Sequence, residues 1–275
     1  MLAAIFTATY LEDSLPKALR KLHSLGWTVF EVADEHIAAI DQDENRHKVI
    51  EETLQVLAAL DLYMPQAHAK LTADVARPDA ELRNSEIATL MRHMDYSSQL
   101  GVKNVVIHPG RGNGCATPEE RRRIFDLNVD SFRRLADRAG ELGLRIGIEN
   151  MMNASEFGST AGDLLELLAA VDSSALGVTI DTSHANVRTG DTAGMIRQLG
   201  PAIFCTHISD NNGTGDQHLA PGNGNIDWPG VVSALKDIGY DGTFNLEIGG
   251  ERHPVPEITA MKLQHALNVT NWLLR

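Results

Sequence analysis

Short, nearly continuous apolar runs alternate with longer stretches in which apolar residues recur at i, i+3, i+4 and i+7, and the alternation continues from one end of the chain to the other. The short runs are Leu2–Thr7, Thr28–Val32, Tyr63–Ala67, Asn104–His108, Arg145–Glu149, Gly177–Asp181, Ile203–Ile208 and Thr243–Ile248. Such runs predict strands buried on both faces, and therefore a parallel sheet covered by helices. Ser14 to Leu25 is one predicted helix, closed by Gly26. Pro118 to Leu142 is another, opened by Thr117 with Glu120 three residues on and closed by Gly143. An open doubly wound sheet would alternate in the same way, but it would place a glycine-rich phosphate loop after its first strand. Here that segment reads Thr7-Ala8-Thr9-Tyr10-Leu11-Glu12-Asp13, with no GxGxxG. Eight alternations in 275 residues, with no low-complexity linker, predict a single (β/α)₈ barrel occupying residues 1–275 as one domain.

In such a barrel the chemistry sits at the C-terminal ends of the strands. The third strand runs into His68 and the fourth into His108. The fifth ends at Glu149, the sixth at Asp181 with His184 following, the seventh at His207 with Asp210 following, and the eighth at Glu247. An Asp216-Gln217-His218 element lies in the loop after the seventh strand. One such residue is commonly a cap or a satisfied hydrogen bond. Six successive strands ending in Asp, Glu or His converge on one mouth, where unpaired carboxylates repel without a cation. Carboxylate with imidazole suits Mn²⁺, Zn²⁺, Fe²⁺ or Mg²⁺, with Mn²⁺ the first choice and Co²⁺ also suited. The lack of nearby thiolates argues against a closed structural zinc site. Glu149, Asp181, His207 and Glu247 would make an open ligand set from four adjacent strands, with the two glutamates on opposite sides of the ion. A substrate with vicinal oxygens could chelate that ion and present a C–H to each glutamate. That arrangement suits proton transfer through an enediolate, the chemistry of ketose epimerisation or aldose–ketose isomerisation.

Composition narrows the partners. The net charge of −13 disfavours a phosphate backbone or an anionic lipid surface as ligand. Arg121, Arg122, Arg123, Arg133 and Arg134 fall on one amphipathic helix, where solvent contact is expected. Cys115 and Cys205 are too few and too far apart for a disulfide framework, and Cys205 is expected to be a buried small apolar residue. The N-terminal stretch lacks a basic region, and no apolar run approaches the ~20 residues that span a bilayer, so a soluble cytoplasmic protein is expected. His36, His47, His93 and His265 lie in helical patterns and are expected at the surface, and His23 far from the strand ends. Asp227 is expected to cap a helix with Pro229 in its first turn, and Trp228 to pack. Gly222 and Gly224 are expected to let the loop backbone approach the mouth closely. Glu156 and Arg252 are expected on loops facing that mouth.

At the residues Ile148-Glu149-Asn150, Asp181-Thr182-Ser183-His184, His207-Ile208-Ser209-Asp210 and His218-Leu219-Ala220-Pro221-Gly222-Asn223-Gly224-Asn225-Ile226-Asp227-Trp228, the sequence resembles the xylose-isomerase-like barrel superfamily. That group includes D-tagatose 3-epimerase-type sugar epimerases, hydroxypyruvate isomerase, inosose dehydratase and endonuclease IV. The resemblance runs from the third strand to the last helix. It implies that Glu149, Asp181, His207 and Glu247 bind metal, that Glu149 and Glu247 exchange protons with a sugar, sugar phosphate or polyol, and that His184 contacts a substrate oxygen. It also implies that assembly into homo-oligomers is common. Endonuclease IV is similar in holding three zinc ions with nine ligands. The matching positions here are His68, His108, Glu149, Asp181, His184, His207, Asp216, His218 and Glu247. His68, His108, His184, Asp216 and His218 are therefore expected to bind substrate or a second metal. The alternatives to an isomerase or epimerase are a multinuclear phosphoesterase and a dehydratase of an inosose-like polyol. The acidic charge, and a loop Ala69-Lys70-Leu71-Thr72-Ala73-Asp74 without aromatic residues, weigh against a nuclease.

Overall fold

The structure is a computed structural model that describes residues 1–112 and 114–275. The strands are β1 Leu2–Phe6, β2 Val29–Val32, β3 Tyr63–His68, β4 Asn104–Ile107, β5 Arg145–Glu149, β6 Leu176–Asp181, β7 Ile203–His207 and β8 Thr243–Leu246. All pair in parallel in the order β7-β6-β5-β4-β3-β2-β1-β8. The seam between β7 and β8 is drawn together just beyond β7 by a bridge of Ile208 with Leu246. There the Ile208 amide donates to Asn245 O at 2.8 Å and the Glu247 amide to Ile208 O at 3.0 Å. The result is the expected (β/α)₈ barrel, nearly closed.

Ten α-helices pack outside it among the described residues: α1 Leu15–Ser24, α2 Asp34–Gln42, α3 Arg46–Ala59, α4 Ala80–Gln99, α5 Pro118–Leu142, α6 Ala161–Val171, α7 Thr182–Thr189, α8 Thr192–Leu199, α9 Trp228–Asp237 and α10 Pro256–Leu273. The α5 boundaries fall where its terminal signals place them. Thr117 Oγ1 accepts from the Glu120 amide while the Glu120 carboxylate accepts from the Thr117 amide, and Gly143 closes the helix at φ 66°. Ile124, Phe132, Leu135 and Ala139 form its buried stripe against the barrel. α1 ends before Gly26, which turns the chain at φ 98°, while Ser14 precedes it without a side-chain cap.

Two expectations fail in the helical layer. His36 and His93 are buried, not on the surface. His36 hydrogen-bonds Thr7 Oγ1 at 3.0 Å through Nδ1 and the Asp13 carbonyl at 3.1 Å through Nε2, tying α2 to the segment after β1. His93 lies on the core face of α4 beside Leu90, Met94 and Ser97. Burial disfavours the charged form, so both imidazoles titrate below their ordinary value. His47 and His265 are exposed as expected, and both cysteines are free, Cys205 being buried. No helix among the described residues is long and apolar enough to cross a membrane.

Candidate metal centre

Parallel strands linked by outer helices deliver their C-terminal residues to one end of the barrel, and the predicted residues meet there. Glu149 and Asp181 are the last residues of β5 and β6, and His207 is the last of β7. Glu247 follows β8 by one residue, as His108 follows β4, while His68 is the last residue of β3. Glu149, Asp181, His207 and Glu247 each offer a ligand atom, all within 4.8 Å of one another, and His68, Glu149 and His207 form an overlapping group.

Asp181 is oriented by further contacts. One oxygen of Asp181 caps α7, accepting from the His184 amide at 2.7 Å, and Asn150 brackets the Asp181 backbone through its side-chain amide. The other oxygen, Oδ2, is buried without a hydrogen-bond partner, as are His207 Nδ1 and Glu247 Oε2. His207 Nδ1 lies 3.2 Å from Glu149 Oε1 and 3.2 Å from Glu247 Oε2. Buried polar atoms are rarely left without hydrogen bonds, and three of them converging with the carboxylate of Glu149 fit a divalent cation. Oxygen and nitrogen donors without sulfur suit the harder and borderline ions.

The five further residues surround this group. His68 Nε2 and His108 Nε2 lie 3.3 and 3.1 Å from Glu149 Oε2. At the rim, Asp216 Oδ2 lies 3.4 Å from His184 Nε2 and 2.7 Å from His218 Nε2. The tautomers of three histidines are set by backbone carbonyls. Nδ1–H donates to Ala69 O in His68 at 2.6 Å, to Asn150 O in His184 at 2.8 Å and to Glu247 O in His218 at 3.0 Å. Each ring then presents its Nε2 to the mouth. Burial opposes its cation, but the carboxylates it faces raise His68 to about 8, His218 to about 10 and His184 well above the ordinary value. His218 holds this position with φ 48°, a left-handed conformation that a side chain seldom adopts and that marks a constrained site.

The protonation balance reflects a crowd of carboxylates and imidazoles. Burial opposes ionisation of Glu149, yet His207 and His108 beside it hold its carboxyl well below the usual range. Burial pushes Glu247 up to about 7, against the pull of His207 and His218. Burial also raises Asp181, against the pull of His184. Burial disfavours the His207 cation, but Glu31, Glu149 and Glu247 together lift it well above the ordinary value. The ion pairs of Glu149, Asp181, Asp216 and Glu247 involve only histidine among the described residues.

The loop carrying Asp216 and His218 is rigidly built. Asp210, fully buried, accepts from the amides of Gly222, Gly224 and Ile226 and from the Trp228 indole at 2.9 Å. Asp210 thus organises the loop instead of reaching the mouth, and Trp228 packs as expected. A side chain at Gly224 would collide with Asp210 and Asn211, so only glycine fits, while Gly222 turns the chain at φ 92°. Asp227 caps α9 through the Gly230 amide. Glu156 bonds to Asn153 within its own loop and Arg252 faces Glu12 at 3.6 Å, so the expectation that they serve the mouth gains no contact here.

Two contributors escaped the sequence reading. Glu31 of β2 and Asn245 of β8 lie beneath the centre, and both are fully buried. Phe6 supplies an apolar wall, its ring 6.2 Å from those of His68 and His207. The charged residue in Val29-Phe30-Glu31-Val32 was itself a signal, because a carboxylate inside an apolar strand must find a partner in the barrel.

Known proteins place this geometry in a group. The xylose isomerase-like TIM barrel family matches residues 19–268. An uncharacterized protein of Methanocaldococcus jannaschii is 29% identical over 255 residues, covering 88% of this chain and 82% of its own. A D-psicose 3-epimerase of Agrobacterium fabrum is 24% identical over 235 residues, covering 83% of this chain and 77% of its own. The solved structure of a D-tagatose 3-epimerase-like protein superposes with a TM-score of 0.81 at 25% identity, covering 100% of both chains. Fold, strand-end residues and family match agree, and the chain belongs to the xylose isomerase-like TIM barrel family.

Proposed function

We propose that this protein is a divalent-metal-dependent sugar isomerase or epimerase, with Glu149, Asp181, His207 and Glu247 as the metal ligands and Glu149 and Glu247 as the acid–base pair. The observation that carries the metal is the convergence of three buried ligand atoms without hydrogen bonds, Asp181 Oδ2, His207 Nδ1 and Glu247 Oε2. A bound cation would polarise a substrate carbonyl and so acidify the neighbouring C–H. The two glutamates, contributed by strands on different sides of His207, are placed to remove and return a proton at that carbon through an enediolate. Phe6 supplies apolar surface beside His207, and the His184 and His218 rings at the rim would contact substrate hydroxyls. The relatives named as sugar epimerases support a ketose or related polyol as substrate. Incubation of the metal-loaded enzyme with a panel of ketoses in D₂O tests this. Incorporation of solvent deuterium next to the carbonyl is expected, and none with any ketose would sink the proposal.

A multinuclear phosphoesterase is favoured by one specific observation. His68 and His108 with Glu149, and His184 and His218 with Asp216, form two further groups whose Nε2 atoms face a carboxylate oxygen. Metal content of protein purified without chelator separates the readings. One ion per chain supports the isomerase, and three with phosphoester hydrolysis replace it.

A further inference from the structure

Glu31 stands one residue before the end of β2, between Phe30 and Val32, and is 0% exposed. A carboxylate at that depth must be met by donors. Among the described residues it has two. His207 Nε2 lies 3.1 Å from each Glu31 oxygen, and Asn245 Nδ2 donates to Oε2. On the far side of the same imidazole, Nδ1 faces Glu149 and Glu247. His207 is therefore the reverse of its neighbours. His68, His184 and His218 are anchored through Nδ1 on backbone carbonyls and present Nε2, whereas His207 is anchored through Nε2 on a side-chain carboxylate and presents Nδ1. A backbone carbonyl fixes a tautomer, and an ionised carboxylate both fixes it and strengthens the ring as a donor to a cation.

We infer that Glu31 is a positioning residue of the metal centre, acting through His207. It holds His207 as the Nε2–H tautomer, aims Nδ1 at the gap between Glu149, Asp181 and Glu247, and strengthens that nitrogen as a ligand. Asn245 holds Glu31 in the required rotamer. The inference rests on the proposed metal site, and it extends that site by two residues, one on β2 and one on β8, the strands flanking β1.

The test compares wild type and Glu31→Gln for Co²⁺ binding by chelator competition and for the visible spectrum of the Co²⁺ form. The expected result is a loss of affinity of about 10–100-fold with a shifted spectrum, while the metal-free proteins unfold within a few degrees of each other. Equal affinity within twofold and an unchanged spectrum would reduce Glu31 to a filler of the barrel interior and overturn the inference. Wild type that takes up no Co²⁺ overturns the metal site itself, which distinguishes the two failures. Should the variant not fold, long-range ¹H–¹⁵N spectra of histidine-labelled, Zn²⁺-loaded wild type decide. The expected spectrum has His207 carrying its proton on Nε2, and a proton on Nδ1 overturns the assignment.

Discussion

The two ends of the barrel differ in what their polar atoms lack. At the N-terminal end a cavity of about 390 Å³ is lined by Tyr63, Lys103, Arg145, Phe204 and Tyr240 with neighbouring backbone. Two of its polar groups have partners: Arg145 stacks 4.5 Å over the Phe204 ring and donates to Asn104 Oδ1 at 3.0 Å, and the Tyr240 hydroxyl donates to Thr243 O at 2.9 Å. The C-terminal mouth concentrates carboxylates and imidazoles within 4.8 Å and leaves three of their buried atoms without hydrogen bonds. Of the two ends, it is thus the mouth that gathers buried groups left without hydrogen bonds. Under the proposed function, unmet hydrogen-bonding capacity is the better guide to the site than empty volume.

Disabling one residue at each end puts this contrast at greatest risk. Glu149→Gln should lower turnover by roughly 10²–10⁴-fold, on the order expected for a lost acid–base group. Arg145→Ala at the opposite end removes the Phe204 stack and the Asn104 hydrogen bond but touches nothing at the mouth, so it should leave turnover within roughly twofold. A large effect of Arg145→Ala, or none of Glu149→Gln, in steady-state assays would reverse the assignment of the two ends. Next in size is the rim. Asp216→Asn should raise KM about tenfold through a lost charge-assisted contact while leaving one ion per chain. Loss of an ion in elemental analysis would instead mark Asp216 as a ligand. Metal removal comes third: a cation at 100 times its Kd stabilises by about 2.7 kcal/mol, so chelation should lower the melting temperature by roughly 5–10 °C. An unchanged melting curve after chelation would leave the atoms of the mouth that lack hydrogen bonds unexplained.

The smallest effect is expected outside both ends. His36 and His93 are depressed by burial, so the unfolded chain binds protons more readily than the folded one. Their contribution is present above the unfolded-state value of about 6.5 and is lost as pH falls through and below it. Urea unfolding of metal-free protein should show a steeper decline from about pH 7 to about pH 5.5 in wild type than in His93→Asn. Equal slopes would show that His93 is free to protonate in place.

What was legible in the sequence follows from how local each signal is. The limits of α5 are written in adjacent residues, Thr117, Glu120 and Gly143, and the structure follows them. The residues of the mouth were readable because alternating strands and helices force every strand terminus to one end. Glu31 was missed because attention to the final residue of each strand overlooks a side chain one position earlier that fills the barrel below. The error at His93 had a visible remedy, since Leu90, His93, Met94 and Ser97 recur at i, i+3, i+4 and i+7, the pattern of a core face. The histidine tautomers were beyond reach, because they depend on carbonyls of Ala69, Asn150 and Glu247 brought up by backbone that no pattern of side chains specifies.

The seam between β7 and β8 has a mechanical implication. The two strands meet through a bridge beyond the end of β7, and the residues flanking that join are His207 and Glu247. An ion shared by these two side chains would act as a clasp on the least-stitched joint of the barrel. Local opening there would separate the clasp's halves and release the ion, so residence time of the metal and breathing of the seam become one quantity. The amide protons of Ile208 and Glu247, which make the cross-seam bonds, are where hydrogen exchange would report it, slowing when the ion is bound.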